Sequence, residues 1–154
     1  MDVLSQEDLF KSLLELELKR SLRYQYFTSL LMIEADSDFA DGPSREGQSF
    51  LKRLTKFLRK ELRETDLIGV HSERVLAVLL LYSDKNGARN VASRLTSWAS
   101  NFVASQPNGG RSHIRLGGAC FPSHATNLEG LFEKTCEMLN RANFEPDGCV
   151  QILD

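Results

Sequence analysis

An α+β domain is predicted by three observations on the sequence. Apolar residues recur at helical spacing in four stretches, and these stretches alternate with short apolar runs of strand length. Two of the runs, Leu67-Ile68-Gly69-Val70 and Val75 to Tyr82, flank the polar tip His71-Ser72-Glu73-Arg74, the pattern of a β-hairpin. The second run is unbroken, as in a strand buried on both faces. The full order reads α-β-α-β-β-α-β-α-β. Its inner β-α-β-β-α-β is the split, ferredoxin-like arrangement, with a central mixed sheet of about five strands and helices packed on it.

Each element has a local reason. Ser5-Gln6-Glu7-Asp8 opens a helix with acids in its first turn, where they complement the dipole. Leu9, Leu13, Leu16 and Leu22 recur along it, Lys19, Arg20 and Arg23 collect at its end, and it is predicted to stop near Tyr24. Phe27 to Ala35 reads as a central strand ending in the acids Glu34 and Asp36. A loop is predicted over Ser37 to Gly47, which is rich in Asp, Gly, Ser and Pro. The next helix puts Phe50, Leu51, Leu54, Phe57, Leu58 and Leu62 on one face and Lys52, Arg53, Lys56, Arg59, Lys60 and Arg63 on much of the rest. That basic face reads first as solvated surface and second as an anion or partner surface.

After the hairpin, Asp84 is the predicted N-cap of a helix through Val91, Leu95, Trp98, Phe102 and Val103. Pro107-Asn108-Gly109-Gly110 marks a turn. Ile114 to Phe121 is a strand in which Gly117-Gly118 calls for a bulge or a close backbone approach. Asn127 caps a helix with Leu128, Leu131, Phe132, Cys136, Leu139 and Ala142 inward. Pro146-Asp147-Gly148 turns the chain into a last strand, Cys149 to Leu153.

Composition bounds the function. The 154 residues suit one domain spanning 1–154, and 42% hydrophobic with 26% charged residues is a globular mixture. A net charge of -2 gives no global field for nucleic acid or an anionic membrane. The longest apolar run is too short for membrane insertion, and the acidic N-terminus lacks signal-peptide order. Three cysteines, Cys120, Cys136 and Cys149, show no CxxC spacing and read as reduced thiols of a cytoplasmic protein. His71 is expected exposed at the hairpin tip, and His113 and His124 lie on separate segments without metal-type spacing.

In this order, the residues resemble the GGDEF family of diguanylate cyclases, bacterial signalling enzymes that condense two GTP into cyclic di-GMP on a nucleotidyl-cyclase palm. Asp2-Val3-Leu4-Ser5 is similar to the family's D-x-L-T, and Met32-Ile33-Glu34-Ala35-Asp36 with Phe39 to its D-x-D-x-F-K. Arg63-Glu64-Thr65-Asp66 is similar to R-x-x-D, and Ala77-Val78-Leu79-Leu80 to the strand after the signature. Leu116 to Pro122 resembles S-I-G-x-A-x-x-P, and Thr135 to Asn143 the late helix.

Counting from Asp66, the five signature letters fall on Ser72, Glu73, Arg74, Val75 and Leu76. The resemblance implies glycines at the first two, where a side chain would fill the space of the nucleotide. It implies a metal-binding glutamate at the fourth, which is Val75 here. Glu34 and Asp36 are then vestigial metal-site positions, Asn143 replaces a phosphate-binding lysine, and the guanine-reading pair has no counterpart near Phe39 to Pro43. The implied reading is a degenerate cyclase without catalytic residues and without Mg²⁺.

What survives is the R-x-x-D pair. In the family it binds cyclic di-GMP away from the active site, which makes Arg63 and Asp66 the candidate ligand residues. An arginine fork suits phosphate or a guanine edge, and a carboxylate accepts from guanine N–H groups. Three functions follow: a catalytically inactive signalling domain that receives cyclic di-GMP or regulates a protein, an interaction domain without nucleotide, and a residual cyclase using Glu34 and Asp36. A protein partner or an upstream sensory domain is expected, the chain then being a domain excised from a longer signalling protein.

Overall fold

The computed structural model describes residues 6–37, 45–72, 74–104, 112–145 and 148–154. Its elements run α1 (Gln6–Tyr24), β1 (Thr28–Ser37), α2 (Arg45–Glu61), β2 (Leu67–Ser72), β3 (Val75–Leu81), α3 (Lys85–Ala104), β4 (Ser112–Phe121), α4 (Leu128–Arg141) and β5 (Val150–Ile152). The order is the one expected. Helix α2 takes in Arg45 to Gly47 from the predicted loop, while residues 38–44 and the predicted turn at 107–110 lie outside the described residues.

The five strands form one sheet in the order β2-β3-β1-β4-β5. Neighbours are antiparallel except β4 and β5, which are parallel, so the sheet is mixed. All seven residues of β3 are buried, as the unbroken run predicted. A strand covered on both sides needs helices on both sides. On one face, Leu31, Ile33, Leu76, Val78 and Leu80 pack against Leu54 and Leu58 of α2 and Ala88, Ala92, Leu95 and Ala99 of α3. On the other, Leu30, Met32, Ala77, Leu79 and Leu81 pack against Phe10, Leu14 and Leu18 of α1 and Leu131 and Leu139 of α4.

Local chemistry fixes the helix starts. The Asp84 carboxylate accepts from Asn86 N and Gly87 N, both at 3.0 Å, which satisfies two N–H groups that the helix itself cannot pair. Asn127 does the same for α4 by accepting from Gly130 N at 2.7 Å. The close approach expected at Gly117 is made by α4: a Cβ there would lie 2.5 Å from Leu139 Cα. Pairing with β1 runs through Gly117 and Gly118 without a bulge. Among the described residues, no helix is long and apolar enough to cross a membrane.

Helix α1 buries a different series from the leucines that spacing picks out. Its inward stripe is Phe10, Leu14 and Leu18, with Ser21 beneath the last turn, whereas Leu9, Leu13, Leu16 and Leu22 are exposed. Two leucine series interleave in this helix, and periodicity alone does not choose between them. Gly69 of β2 supplies the choice, because without a Cβ it accommodates the Phe10 ring. Leu14→Ala is therefore expected to cost about 2–5 kcal/mol in urea unfolding. Leu13→Ala is expected to cost less than about 1 kcal/mol. Equal losses would contradict this seating of α1.

Candidate functional site

Two sets of polar residues flank the β2–β3 hairpin, one at the stem and one where the tip meets β1. At the stem, α2 ends and a short turn leads to β2. The Asp66 carboxylate accepts from Arg63 N through Oδ2 and from Leu81 N through Oδ1, both at 3.0 Å. β2 begins only at Leu67, opposite Leu79, so Leu81 N lies beyond its reach and takes a side-chain acceptor instead. Arg63 Nη1 donates to the Leu81 carbonyl at 3.3 Å, and the arginine is exposed. The structure brings the two sequence-predicted ligand residues together, through the backbone of one β3 residue.

The other set lies across three strands. Glu34 of β1 is in register with Val75 of β3 on one side and Arg115 of β4 on the other. Arg115 Nη2 donates to Glu34 Oε1 at 3.1 Å, and Nη1 donates to the Ala142 carbonyl at 3.0 Å. The guanidinium carbon stands 5.2 Å from the centroid of the Phe144 ring. Only about a fifth of either side chain is exposed (21% and 23%), and Arg115 Nε is buried without a hydrogen-bond partner among the described residues. Val75 is buried and presents hydrocarbon to this junction. The chemistry available here is that of a half-buried ion pair fixed on both sides.

The remaining positions have structural partners. Ser72 pairs with Val75 and is exposed, and the Arg74 carbonyl accepts from Ala35 N at 2.9 Å, tying the tip to β1. Leu76 is core. Glu73 and the Asp36 side chain lie outside what the structure describes. Asn143 is a turn residue: its Oδ1 accepts from Glu145 N and its own N–H reaches Gly148 O. His71 is half-buried rather than an exposed tip residue, stacked 6.0 Å from the Phe132 ring of α4. His124 Nδ1 accepts from Cys120 N. Burial pushes the thiols of Cys120, Cys136 and Cys149 above the ordinary cysteine range, which leaves them protonated and weakly nucleophilic at neutral pH. Among the described residues, no group of three or more His, Cys, Asp or Glu side chains could hold a metal.

Arg115 is the residue that sequence reasoning missed. A signal existed: the eight-letter S-I-G-x-A-x-x-P pattern, counted back from Pro122, puts its first letter on Arg115. A single arginine inside an apolar strand needs a partner.

Sheet order, paired helices and hairpin define a domain of the nucleotidyl-cyclase palm class. The family model described as diguanylate cyclase, GGDEF domain, matches residues 3–146, and the chain belongs to the GGDEF family. Solved structures agree on the fold. The GGDEF domain of YfiN (TpbB) from Pseudomonas aeruginosa is 22% identical at a TM-score of 0.68, over 95% of this chain and 88% of that one. An active GGEEF domain of a diguanylate cyclase from Vibrio cholerae is 13% identical at a TM-score of 0.76, over 91% of each chain. The GGDEF domain of DgcB from Caulobacter crescentus, solved in complex with c-di-GMP, is 10% identical at a TM-score of 0.77, over 93% and 87%. No curated protein sequence matches the chain.

The double use of Asp66 has a measurable consequence. Asp66→Ala leaves two backbone N–H groups without their acceptor and is expected to lower stability by about 1–3 kcal/mol in urea unfolding. Arg63→Ala removes one bond from an exposed side chain and is expected to cost less than about 1 kcal/mol.

Proposed function

We propose that this chain is a GGDEF domain without cyclase activity, a regulatory module whose ligand is cyclic di-GMP held at Arg63 and Asp66. The observation that carries the first half is the Glu34–Arg115 pair. A divalent ion at the cyclase position needs several hard oxygen ligands. Here the Glu34 carboxylate already holds a guanidinium, its neighbour in register is Val75, and the residues do not fit Mg²⁺. Attack of a 3′-hydroxyl on an α-phosphate needs its developing charge neutralised, and among the described residues this junction offers no second carboxylate to bind the ion that would do so.

The second half rests on the stem. Arg63 spends one N–H on Leu81 and has further donors in its planar fork, matched to phosphate or to the Hoogsteen edge of guanine. Asp66 is held rigid by two backbone bonds, while each carboxylate oxygen retains a second lone pair. Arg59 and Lys60, in the last turn of α2, add positive charge for a dianionic ligand. The same bonds favour a rival reading, a protein-docking domain with no nucleotide, because Asp66 is already satisfied without a ligand. In either case the input or output passes through a protein partner or an adjoining sensory domain.

Calorimetry separates the readings. Micromolar cyclic di-GMP binding that disappears in Arg63→Ala supports the receptor, and absence of heat at high ligand concentration leaves the docking domain. Incubation with GTP and Mg²⁺ is expected to yield no cyclic di-GMP above an enzyme-free blank; product would overturn the inactive assignment. Mg²⁺ is likewise expected to leave the Tm unchanged. In Val75→Glu with Arg115→Ser, two carboxylates face each other without the guanidinium, and Mg²⁺ is expected to raise the Tm.

A further inference from the structure

Two stacked aromatic rings stand at the foot of the sheet, next to the stem. Tyr82 follows Leu81 at the end of β3, and its ring lies on that of Tyr26 with centroids 4.0 Å apart. Tyr82 nevertheless remains 64% exposed. Among the described residues, a positive φ outside glycine occurs at Tyr82 (55°) and at Gln25 (57°), the residue immediately before Tyr26. A side chain at such an angle is strained, so both strained positions serve the same pair of rings. Hydrogen bonds on either side hold the strain in place. Leu81 is gripped by Asp66 and Arg63 before Tyr82. After it, Ser83 N donates to the Phe27 carbonyl at 3.0 Å, and the Ser83 carbonyl accepts from Ser29 Oγ at 2.8 Å. Tyr26 is fixed in turn, its N–H donating to the Ser21 carbonyl at 3.1 Å.

We propose that Tyr82 is a stacking platform for a guanine base of the cyclic di-GMP held at Arg63 and Asp66. The assignment rests on the receptor reading and adds to it the residue that takes the flat face of the base. Strand order places the platform. β3 lies between β2 and β1, and Tyr26 leads into β1. Tyr26 covers one face of the Tyr82 ring, which leaves the other face open toward the β2 side, where the stem lies. The Arg63 guanidinium bonds the Leu81 carbonyl, whose peptide bond leads directly into Tyr82, so the fork and the ring are neighbours. Chemistry supplies the ligand class. A guanine gripped at its edge by an arginine and a carboxylate still shows two flat faces to water, and an aromatic ring removes one of them. A ring already backed by a second ring and set on a fixed backbone has little freedom left to lose on binding. Stacking accepts any base, so the choice of guanine stays with the hydrogen bonds of Arg63 and Asp66. A protein-docking domain without nucleotide gives the strained, exposed ring no such use.

Calorimetry with cyclic di-GMP on the whole chain tests this, with Arg63→Ala run alongside. Tyr82→Leu keeps an apolar side chain against Tyr26 but has no π face, whereas Tyr82→Phe keeps the face. The dissociation constant is expected to rise at least about tenfold in Tyr82→Leu and to stay within about twofold in Tyr82→Phe. Circular dichroism is expected to be unchanged in both, because Tyr82 is outside the core. The seat of the base is read by NMR on the ligand. At saturating protein, the guanine H8 resonance is expected to move upfield under the ring current of Tyr82, and to lose that shift in Tyr82→Leu. Binding that needs Arg63 but is unmoved in Tyr82→Leu, with H8 unchanged, overturns the platform and leaves the receptor standing. Equal losses in Tyr82→Leu and Tyr82→Phe assign the contact to the hydroxyl and overturn stacking. No binding by the unaltered chain, or binding indifferent to Arg63→Ala, overturns the receptor reading and the platform with it.

Discussion

Burial of β1 and β3 on both of their faces is the constraint on which the rest of the structure depends. Neither strand has a side that water can cover, so α1 and α4 must close one face and α2 and α3 the other. That sandwich fixes the register of Glu34 between Val75 and Arg115, and it fixes Leu81 at the end of β3, where the stem residues converge. The polar residues of interest are therefore placed by the apolar ones. Gly117 and Gly69 serve the same end, admitting the backbone of α4 and the ring of Phe10 against the sheet.

Charge at the junction of β1, β3 and β4 is balanced internally. A carboxylate partly withdrawn from water needs a cation, and either a metal or a guanidinium can supply it. Arg115 supplies it from the neighbouring strand and is itself held by the Ala142 carbonyl and the Phe144 ring. A fixed organic cation of this kind can neutralise Glu34. It has no open coordination position for a phosphate oxygen or a water. The stem follows a related logic, in that Asp66 completes hydrogen bonds that β2 is too short to make.

Much of this was legible in the sequence, because the strongest signals are local. The unbroken run from Val75, the caps Asp84 and Asn127, and the turn-rich flanks each depend on a few adjacent residues, and all four helices and five strands were placed from them. The choice between leucine series in α1 was not legible, since it depends on Gly69, some sixty residues away. The Glu34–Arg115 pair, 81 positions apart, was missed for the same reason. His71 was misplaced because the ring that covers it, Phe132, belongs to a helix that follows much later. Contacts across the sheet leave weak marks on either segment alone.

The stacking of Phe57 on Trp98, with ring centroids 5.0 Å apart, joins α2 to α3. Trp98 is the only tryptophan in the chain, and Phe57 stands six residues before Arg63 on the helix that leads to the stem. Its indole is thus an intrinsic optical probe of how α2 is seated. A displacement of that helix changes the packing of a single fluorophore, so its emission can be followed with no added label.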